Sequence, residues 1–342
     1  MAAQTDIDAA ARLLESGELV AFPTETVYGL GADAENPAAI AKIYAAKGRP
    51  SNHPVIVHLA PAADIGRWAT SIPPLAGALI DAFWPGPLTL ILKRASAIPS
   101  AVSGGQDSIG LRCPSHPVAQ ALLNAFKAGE GGVAAPSANK FGHVSPTTAR
   151  HVRDEFGDGP DSAVRCILDG GQSDVGIEST ILDLSRVDVL GPVLLRPGHI
   201  SPEDIARVIG RLPTSADAAA PRASGTLDAH YAPRTPVVLS APDRLPDIVQ
   251  QLNTAGRKVA LMRRTLPHAP DVAAQLALPV APHGYAHDLY AALRAMDLAG
   301  ADLIIVEAPP QDAEWQGIND RLRRAAHDST GILSTFFTSS ST

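Results

Sequence analysis

The chain has 342 residues, 45% hydrophobic and 18% charged, which is enough for real cores and more than one typical domain. Its formal charge of -7 argues against a broad nucleic-acid footprint, which needs a basic face. Two cysteines, Cys113 and Cys166, cannot build a disulfide framework and fit a reducing compartment. The first residues show no basic or apolar leader, and no apolar run approaches the roughly 18 residues of a spanning helix, so a soluble cytoplasmic protein with no membrane contact is expected.

Taken in chain order, residues 6–15 read as an amphipathic helix with Ile7, Ala10, Leu13 and Leu14 on one face and Gly17 just past its end. Residues 19–22 form a buried strand that runs into a loop crowded with hydroxyls, one carboxylate and two glycines. Asn36 and Pro37 open a second helix as N-cap and first residue, and Gly48 ends it. Strands are expected over 55–59, 88–92, 108–112, 133–135, 166–169, 180–184 and 189–195. Helices are expected over 74–84, 116–126, 147–156 and 202–209. Strands and helices without strict alternation predict an α/β fold on a twisted mixed sheet, and few aromatics with many alanines suit helices packed on it. Residues 212–236, rich in Ala, Pro, Ser and Arg, read as a linker. It divides a first domain, 1–211, from a smaller one, 237–342. The second domain shows strands at 237–239, 259–262 and 303–306 with helices at 244–252, 286–298 and 315–326, a doubly wound Rossmann-like pattern, and its Ser/Thr-rich tail from Ser334 is expected to fray.

Several strand ends carry chemistry. Lys47 and Arg49 close the second helix beside the hydroxyl-rich loop; cations there complement a helix dipole, but beside hydroxyls and glycines they suit a phosphate or carboxylate. Arg112 ends a strand, a ligand-binding location in α/β sheets, although an edge ion pair is an equal alternative. Ser137 and Asn139 alternate on an extended segment, and Ser145 or Thr147 can serve as the next helix's N-cap. Ser179 and Arg196 repeat the pattern of small hydroxyl or arginine at a strand end, so together these ends read as one polar cleft for an anionic small molecule. Gly29-Leu-Gly31-Ala-Asp-Ala34 fits only a relaxed dinucleotide pattern, starts too late after its strand and lacks the acidic residue expected downstream; a nicotinamide-dependent oxidoreductase is the reading it would support. There is no P-loop, no metal-ligand spacing among the histidines, no G-x-S-x-G elbow, and no base beside either cysteine in sequence.

Assembled in order, Phe22-Pro-Thr-Glu-Thr-Val-Tyr-Gly-Leu-Gly31, Lys47-x-Arg-Pro50, Pro54-Val-Ile-Val-His58, Trp84-Pro-Gly-Pro-Leu-Thr89, Leu111-Arg112-x-Pro114, Pro136-Ser-Ala-Asn139, Ser145-Pro-Thr147, Gly176-Ile-Glu-Ser-Thr180, Arg196-Pro-Gly198, His230-Tyr-Ala-Pro233 and Ile318-Asn-Asp-Arg-Leu322 resemble the threonylcarbamoyl-AMP synthase family in its long two-domain form. The resemblance implies a YrdC-like mixed-sheet domain and a nucleotidyltransferase. That enzyme makes L-threonylcarbamoyl-AMP and pyrophosphate from L-threonine, bicarbonate and ATP, with Mg2+ accompanying ATP. The product feeds N6-threonylcarbamoyladenosine in tRNA through a separate tRNA threonylcarbamoyl-transferase complex, with tRNA contact weak or indirect. It also implies roles: Lys47 and Arg49 catalytic; Thr26, His58, Arg112, Ser137 and Ser179 on threonine; Arg49, His53, Ser108, Asn139, Thr147, Arg196, His230 and Tyr231 on ATP; and no protein-held metal. Two departures stand out: Phe141 where the family has serine, and Ser224-Gly-Thr226 where the linker has Pro-Gly-Met. A double-stranded RNA or tRNA-binding module without catalysis is the alternative.

Overall fold

The computed structural model describes residues 2–338 except Asp228, Pro270 and Thr330. By its contacts the chain divides into two compact units, Met1–Phe141 with Ser145–Thr226, and Gly142–Val144 with Leu227–Thr342. Residues 212–226 of the expected linker therefore belong with the first unit, and residues from Leu227 with the second.

The first unit is built on one eleven-stranded sheet. Its strands are β1 (Leu19–Phe22), β2 (Gly29–Asp33), β3 (Ile56–Leu59), β4 (Ala69–Thr70), β5 (Leu88–Arg94), β6 (Ser108–Arg112), β7 (Gly132–Ala134), β8 (Val164–Ile167), β9 (Thr180–Asp183), β10 (Val193–Arg196) and β11 (Thr214–Ser215). They lie in the order β11-β10-β9-β5-β6-β3-β7-β2-β1-β8, with β4 added beside β5. Pairing is mixed: β3 runs parallel to β6 and β5 to β9, while β5 and β6 are antiparallel. Helices α1 (Gln4–Glu15), α2 (Pro37–Lys47), α3 (Pro74–Phe83), α4 (Pro117–Ala125), α5 (Ala149–Phe156), α6 (Val187–Leu190) and α7 (Pro202–Ile209) connect them.

Local chemistry explains the pieces that position the cleft. In β1 every residue is buried: Leu19 and Ala21 enter one apolar cluster, Val20 and Phe22 another with Ile7, Leu14 and Leu122. A strand covered on both faces reads as a continuous apolar run, and burying each large side chain contributes roughly 1.5–3 kcal/mol. Asn36 caps α2 by accepting the N–H groups of Ala38 and Ala39, Pro37 follows it, and Gly48 closes the helix at φ +62°.

The structure corrects several expectations. Residues 29–33 are not loop: they form β2, hairpin-paired to β1 with Val20 opposite Gly31. Gly31 is there for sheet packing, because a Cβ would meet Phe22 Cε1 and Val133 Cγ1 at 2.9 Å. A glycine pair inside a strand cannot form the phosphate-binding turn of a dinucleotide fold, so the oxidoreductase reading falls. Residues 189–195 are not one strand: Val187–Leu190 is a short helix ended by Gly191 at φ +74°, and only Val193–Arg196 pairs. Helix α1 buries Ala11 rather than Leu13 beside Ile7, Ala10 and Leu14. The N-cap before α5 is Thr148, whose side chain accepts the His151 N–H, and neither Ser145 nor Thr147.

The second unit holds a four-stranded parallel sheet, β12 (Val237–Ser240), β13 (Val259–Arg263), β14 (Ala274–Ala277) and β15 (Leu303–Glu307), in the order β12-β15-β13-β14. It carries α8 (Leu245–Thr254), α9 (Pro282–Asp297), α10 (Gln316–Ala325) and α11 (Ile332–Thr338). Its core joins Leu245, Val249, Leu252, Val259, Leu261, Leu303 and Ile305. Edge strand β14 has no apolar signature in the sequence because none of its four residues is buried. The expected frayed tail begins inside α11, where Leu333 and Phe336 pack on that core; its last four residues, 339–342, lie outside the described residues.

Candidate active site

The site is assembled where three segments meet. Tyr28 donates its backbone N–H to Pro146 O at 2.9 Å, Leu30 to Pro136 O at 2.8 Å, and Ala138 to Tyr28 O at 2.8 Å. The β1–β2 loop, the segment after β7 and the segment before α5 are thus one surface. Part of the loop's hydroxyl content is spent on its own turn: Thr24 Oγ1 donates to Val27 O at 2.6 Å and lies 2.9 Å from Thr26 Oγ1.

Lys47 is buried at the end of α2 and its ammonium donates to Ser137 O at 2.5 Å and to Asn139 O. Burial, with the charge of Arg49, pushes its pKa well below the usual lysine range. The carbonyls explain how the charge is held: they replace lost water and pin the Ser137–Asn139 segment to α2. Asn139 is fully buried with Nδ2 on Lys140 O at 2.8 Å. Phe141, the departure noted above, donates its N–H to Lys47 O at 2.8 Å and sets its ring 5.6 Å from that of His53. His53 is held below the ordinary histidine range by burial and by Arg49 and Arg222.

A second cluster joins the arginines. Arg49 Nη2 donates to Pro54 O at 2.8 Å and Ser224 Oγ at 3.2 Å. Arg196 donates from Nε and Nη2 to Ser179 O at 3.1 and 2.9 Å, and from Nη1 to Ser224 O at 2.8 Å. Ser224, the other departure, is therefore the joint between two of the expected nucleotide-binding arginines. Ser179 Oγ lies 2.8 Å from Thr89 Oγ1 and 3.2 Å from Arg196 Nη2.

The third cluster is charged and dry. Arg112 Nη2 lies 2.7 Å from Glu25 Oε1, with both side chains about 5% exposed. Next to it in register on β3 is His58, buried, with Nδ1 making no hydrogen bond among the described residues. Burial first, and the Arg112 charge second, drop its pKa to about 3, so it is a neutral imidazole. Ser108 starts the strand that Arg112 ends, about 13 Å away by strand rise. Thr147 is buried with Oγ1 3.4 Å from His151 Nδ1. His230 and Tyr231 pack within the second unit: their rings are 4.1 Å apart, and Tyr231 is buried against Tyr290 and under the Arg321 guanidinium.

Sequence reasoning assigned no role to Glu25, Thr89, Glu178 or Ser224. Glu178 accepts the Ser145 hydroxyl at 2.5 Å, and its charge is felt at Lys47. Each sat inside or beside a quoted motif, but a partner distant in sequence gave no sign. Burial pushes the Cys113 thiol up to about 11, so it is not poised as a nucleophile. Among the described residues no group of three or more His, Cys, Asp or Glu side chains is placed to hold a metal ion, and no helix is long and apolar enough to cross a membrane.

Buried cations, hydroxyls and a neutral imidazole are carried by the strands and loops of one mixed sheet in an α/β protein. A family model described as "Telomere recombination" matches residues 12–198, and one described as "Threonylcarbamoyl-AMP synthase, C-terminal domain" matches residues 200–327. The chain is 37% identical to a threonylcarbamoyl-AMP synthase of Pyrococcus abyssi over 93% of both chains. It is 39% identical to one of Bacillus subtilis over 93% of this chain and 92% of that one. A crystal structure of P. abyssi Sua5 complexed with L-threonine superposes with a TM-score of 0.86 at 35% identity, covering 95% of each chain. The chain belongs to the threonylcarbamoyl-AMP synthase family.

Proposed function

We propose that this protein is an L-threonylcarbamoyladenylate synthase, converting L-threonine, bicarbonate and ATP to L-threonylcarbamoyl-AMP and pyrophosphate. The observation that carries the reading is Ser179: it touches Thr89, next to the residue that pairs with Leu111 beside Arg112, and it also binds Arg196 of the arginine cluster. One residue thus links the carboxylate-suited end to the phosphate-suited end.

In this reading the threonine amine captures CO2 derived from bicarbonate, losing a proton, and a carbamate oxygen attacks the α-phosphorus as pyrophosphate leaves. No enzyme nucleophile is needed; placement and charge stabilisation supply the rate. Thr26, His58, Arg112, Ser137 and Ser179 hold threonine, Arg112 taking its carboxylate. Neutral His58 contributes a hydrogen-bonding group without adding charge. Arg49, His53, Ser108, Asn139, Thr147 and Arg196 hold the nucleotide, and Lys47 with Arg49 offsets the charge on the transferring phosphoryl group. By the family resemblance His230 and Tyr231 also serve the nucleotide, whose mixed-anhydride product must be kept from water. Mg2+ accompanying ATP would neutralise charge on the polyphosphate.

The product then serves tRNA N6-threonylcarbamoyladenosine formation in the cytoplasm through a separate transferase complex, with tRNA contact weak or indirect, in keeping with the chain's net charge of -7. The test is pyrophosphate release from ATP with and without L-threonine and bicarbonate, with L-serine as the control. Release that depends on both supports the reading; release indifferent to threonine overturns it.

A further inference from the structure

We infer that Glu25 makes the amino-acid pocket select a net-neutral ligand: by cancelling the charge of Arg112 and fixing its guanidinium, it favours a zwitterion over the same carboxylate without an α-amine. This rests on the reading that Arg112 takes threonine's carboxylate.

The geometry is that of a held residue. Glu25 Oε1 contacts Arg112 Nη2 at 2.7 Å. Its other oxygen accepts the Ser115 N–H at 3.1 Å, and its backbone carbonyl accepts the Val175 N–H at 2.7 Å. Arg112 Nε donates to Gly86 O at 3.3 Å. The guanidinium is thus hydrogen-bonded through Nε and ion-paired, without hydrogen-bond geometry, through Nη2, and among the described residues Nη1 donates to no protein group. That leaves one end of a buried, oriented fork for a ligand carboxylate.

Charge follows from the same three side chains. Arg112 contributes one positive charge and Glu25 one negative, and His58, the titratable neighbour on β3, is neutral. In a dry site the sum matters, because an uncompensated buried charge is heavily penalised. A zwitterion enters this neutral surround without upsetting it. A bare carboxylate would add a net negative charge next to Glu25.

The test uses the full chain and calorimetric titration with L-threonine and with (R)-3-hydroxybutyrate, its des-amino counterpart, on wild type and Glu25→Gln. Glutamine keeps the size and an acceptor for Ser115 but removes the charge. Wild type is expected to bind threonine at least about tenfold more tightly than the des-amino acid, and Glu25→Gln to lose most of that preference, binding threonine more weakly and the anion as well or better. A merely structural role would weaken both ligands alike and leave the ratio unchanged, which overturns the inference. Should Glu25→Gln not fold, the wild-type comparison still decides: equal affinity for the two ligands overturns it. Failure of wild type to bind threonine at all would instead remove the reading on which it rests.

Discussion

The two units of this chain are both α/β, yet they treat buried charge in opposite ways. In the second unit it is consumed internally. The Glu307 carboxylate, fully buried, accepts the backbone N–H groups of Arg264, Thr265 and Leu266 and the Thr265 hydroxyl. Its burial pulls the pKa up, but those donors outweigh it and hold it below the usual carboxylate range. Asp320 is likewise ringed by Arg321, Arg323 and Arg324 at 2.9–3.1 Å. In the first unit the buried Glu25–Arg112 ion pair leaves Glu25 Oε1 and Arg112 Nη2 without a hydrogen bond among the described residues, and His58 Nδ1 and Ser173 Oγ are likewise unsatisfied; in the second unit the atoms so left include Arg257 Nε, Arg264 Nε and Tyr285 Oη and no carboxylate oxygen. Closed networks hold a fold, whereas buried groups with unspent hydrogen-bonding capacity cost stability unless a ligand completes them.

The contrast can be broken most sharply at Lys47. Lys47→Met should cut pyrophosphate release by at least about 100-fold, the scale of losing a charge-stabilising donor, and also lower the thermal midpoint, because Ser137 and Asn139 lose the ammonium that holds their carbonyls. Near-normal turnover would remove Lys47 from the chemistry. In the second unit the corresponding damage is to stability alone. Asp320→Ala removes the carboxylate shared by Arg321, Arg323 and Arg324, so denaturant unfolding should register a loss of about 3–5 kcal/mol. A change within error would mean the arginines relax to water.

His58 gives a pH signature. Its pKa of about 3 in the fold lies below its ordinary 6.5, so the unfolded chain takes the proton first and binds more protons between those values. Stability contributed by the neutral form is complete above about pH 7 and declines as pH falls through 6.5 toward 3. Between pH 7 and pH 5 the loss from this group is about 2 kcal/mol. Urea midpoints should therefore fall more steeply with acid in wild type than in His58→Gln; identical slopes would contradict a neutral buried imidazole. The smallest effect is expected from Ser224→Ala, which removes the hydroxyl shared by Arg49 and Pro54. We expect the KM for ATP to rise several-fold for about 1 kcal/mol, with kcat little changed. An unchanged KM would detach this segment from the nucleotide.

How far the sequence carries one depends on whether a signal is local. The α2 boundaries were legible because Asn36, Pro37 and Gly48 are local chemistry, and the all-apolar β1 marked itself as buried on both faces. Strand β2 was not legible: Gly29 and Gly31 look like loop residues, and the need for them comes from Phe22 and Val133 across the sheet. Strand β14 was hidden by its exposure. Within the site, the polar strand ends could be read as one cleft from residue type, but the division into threonine and nucleotide roles came from the family resemblance. The Glu25–Arg112 pair and the Ser224 joint link residues far apart in the chain, so no spacing rule could disclose them.

The most direct test of the central claim supplies carbon-13 bicarbonate, L-threonine and ATP to the purified chain and follows the label by NMR and mass spectrometry. The account predicts one labelled carbonyl carbon joined to the threonine nitrogen on one side and to the AMP phosphate on the other, formed in step with pyrophosphate. Pyrophosphate released with no label reaching a threonine- and AMP-containing product would contradict it.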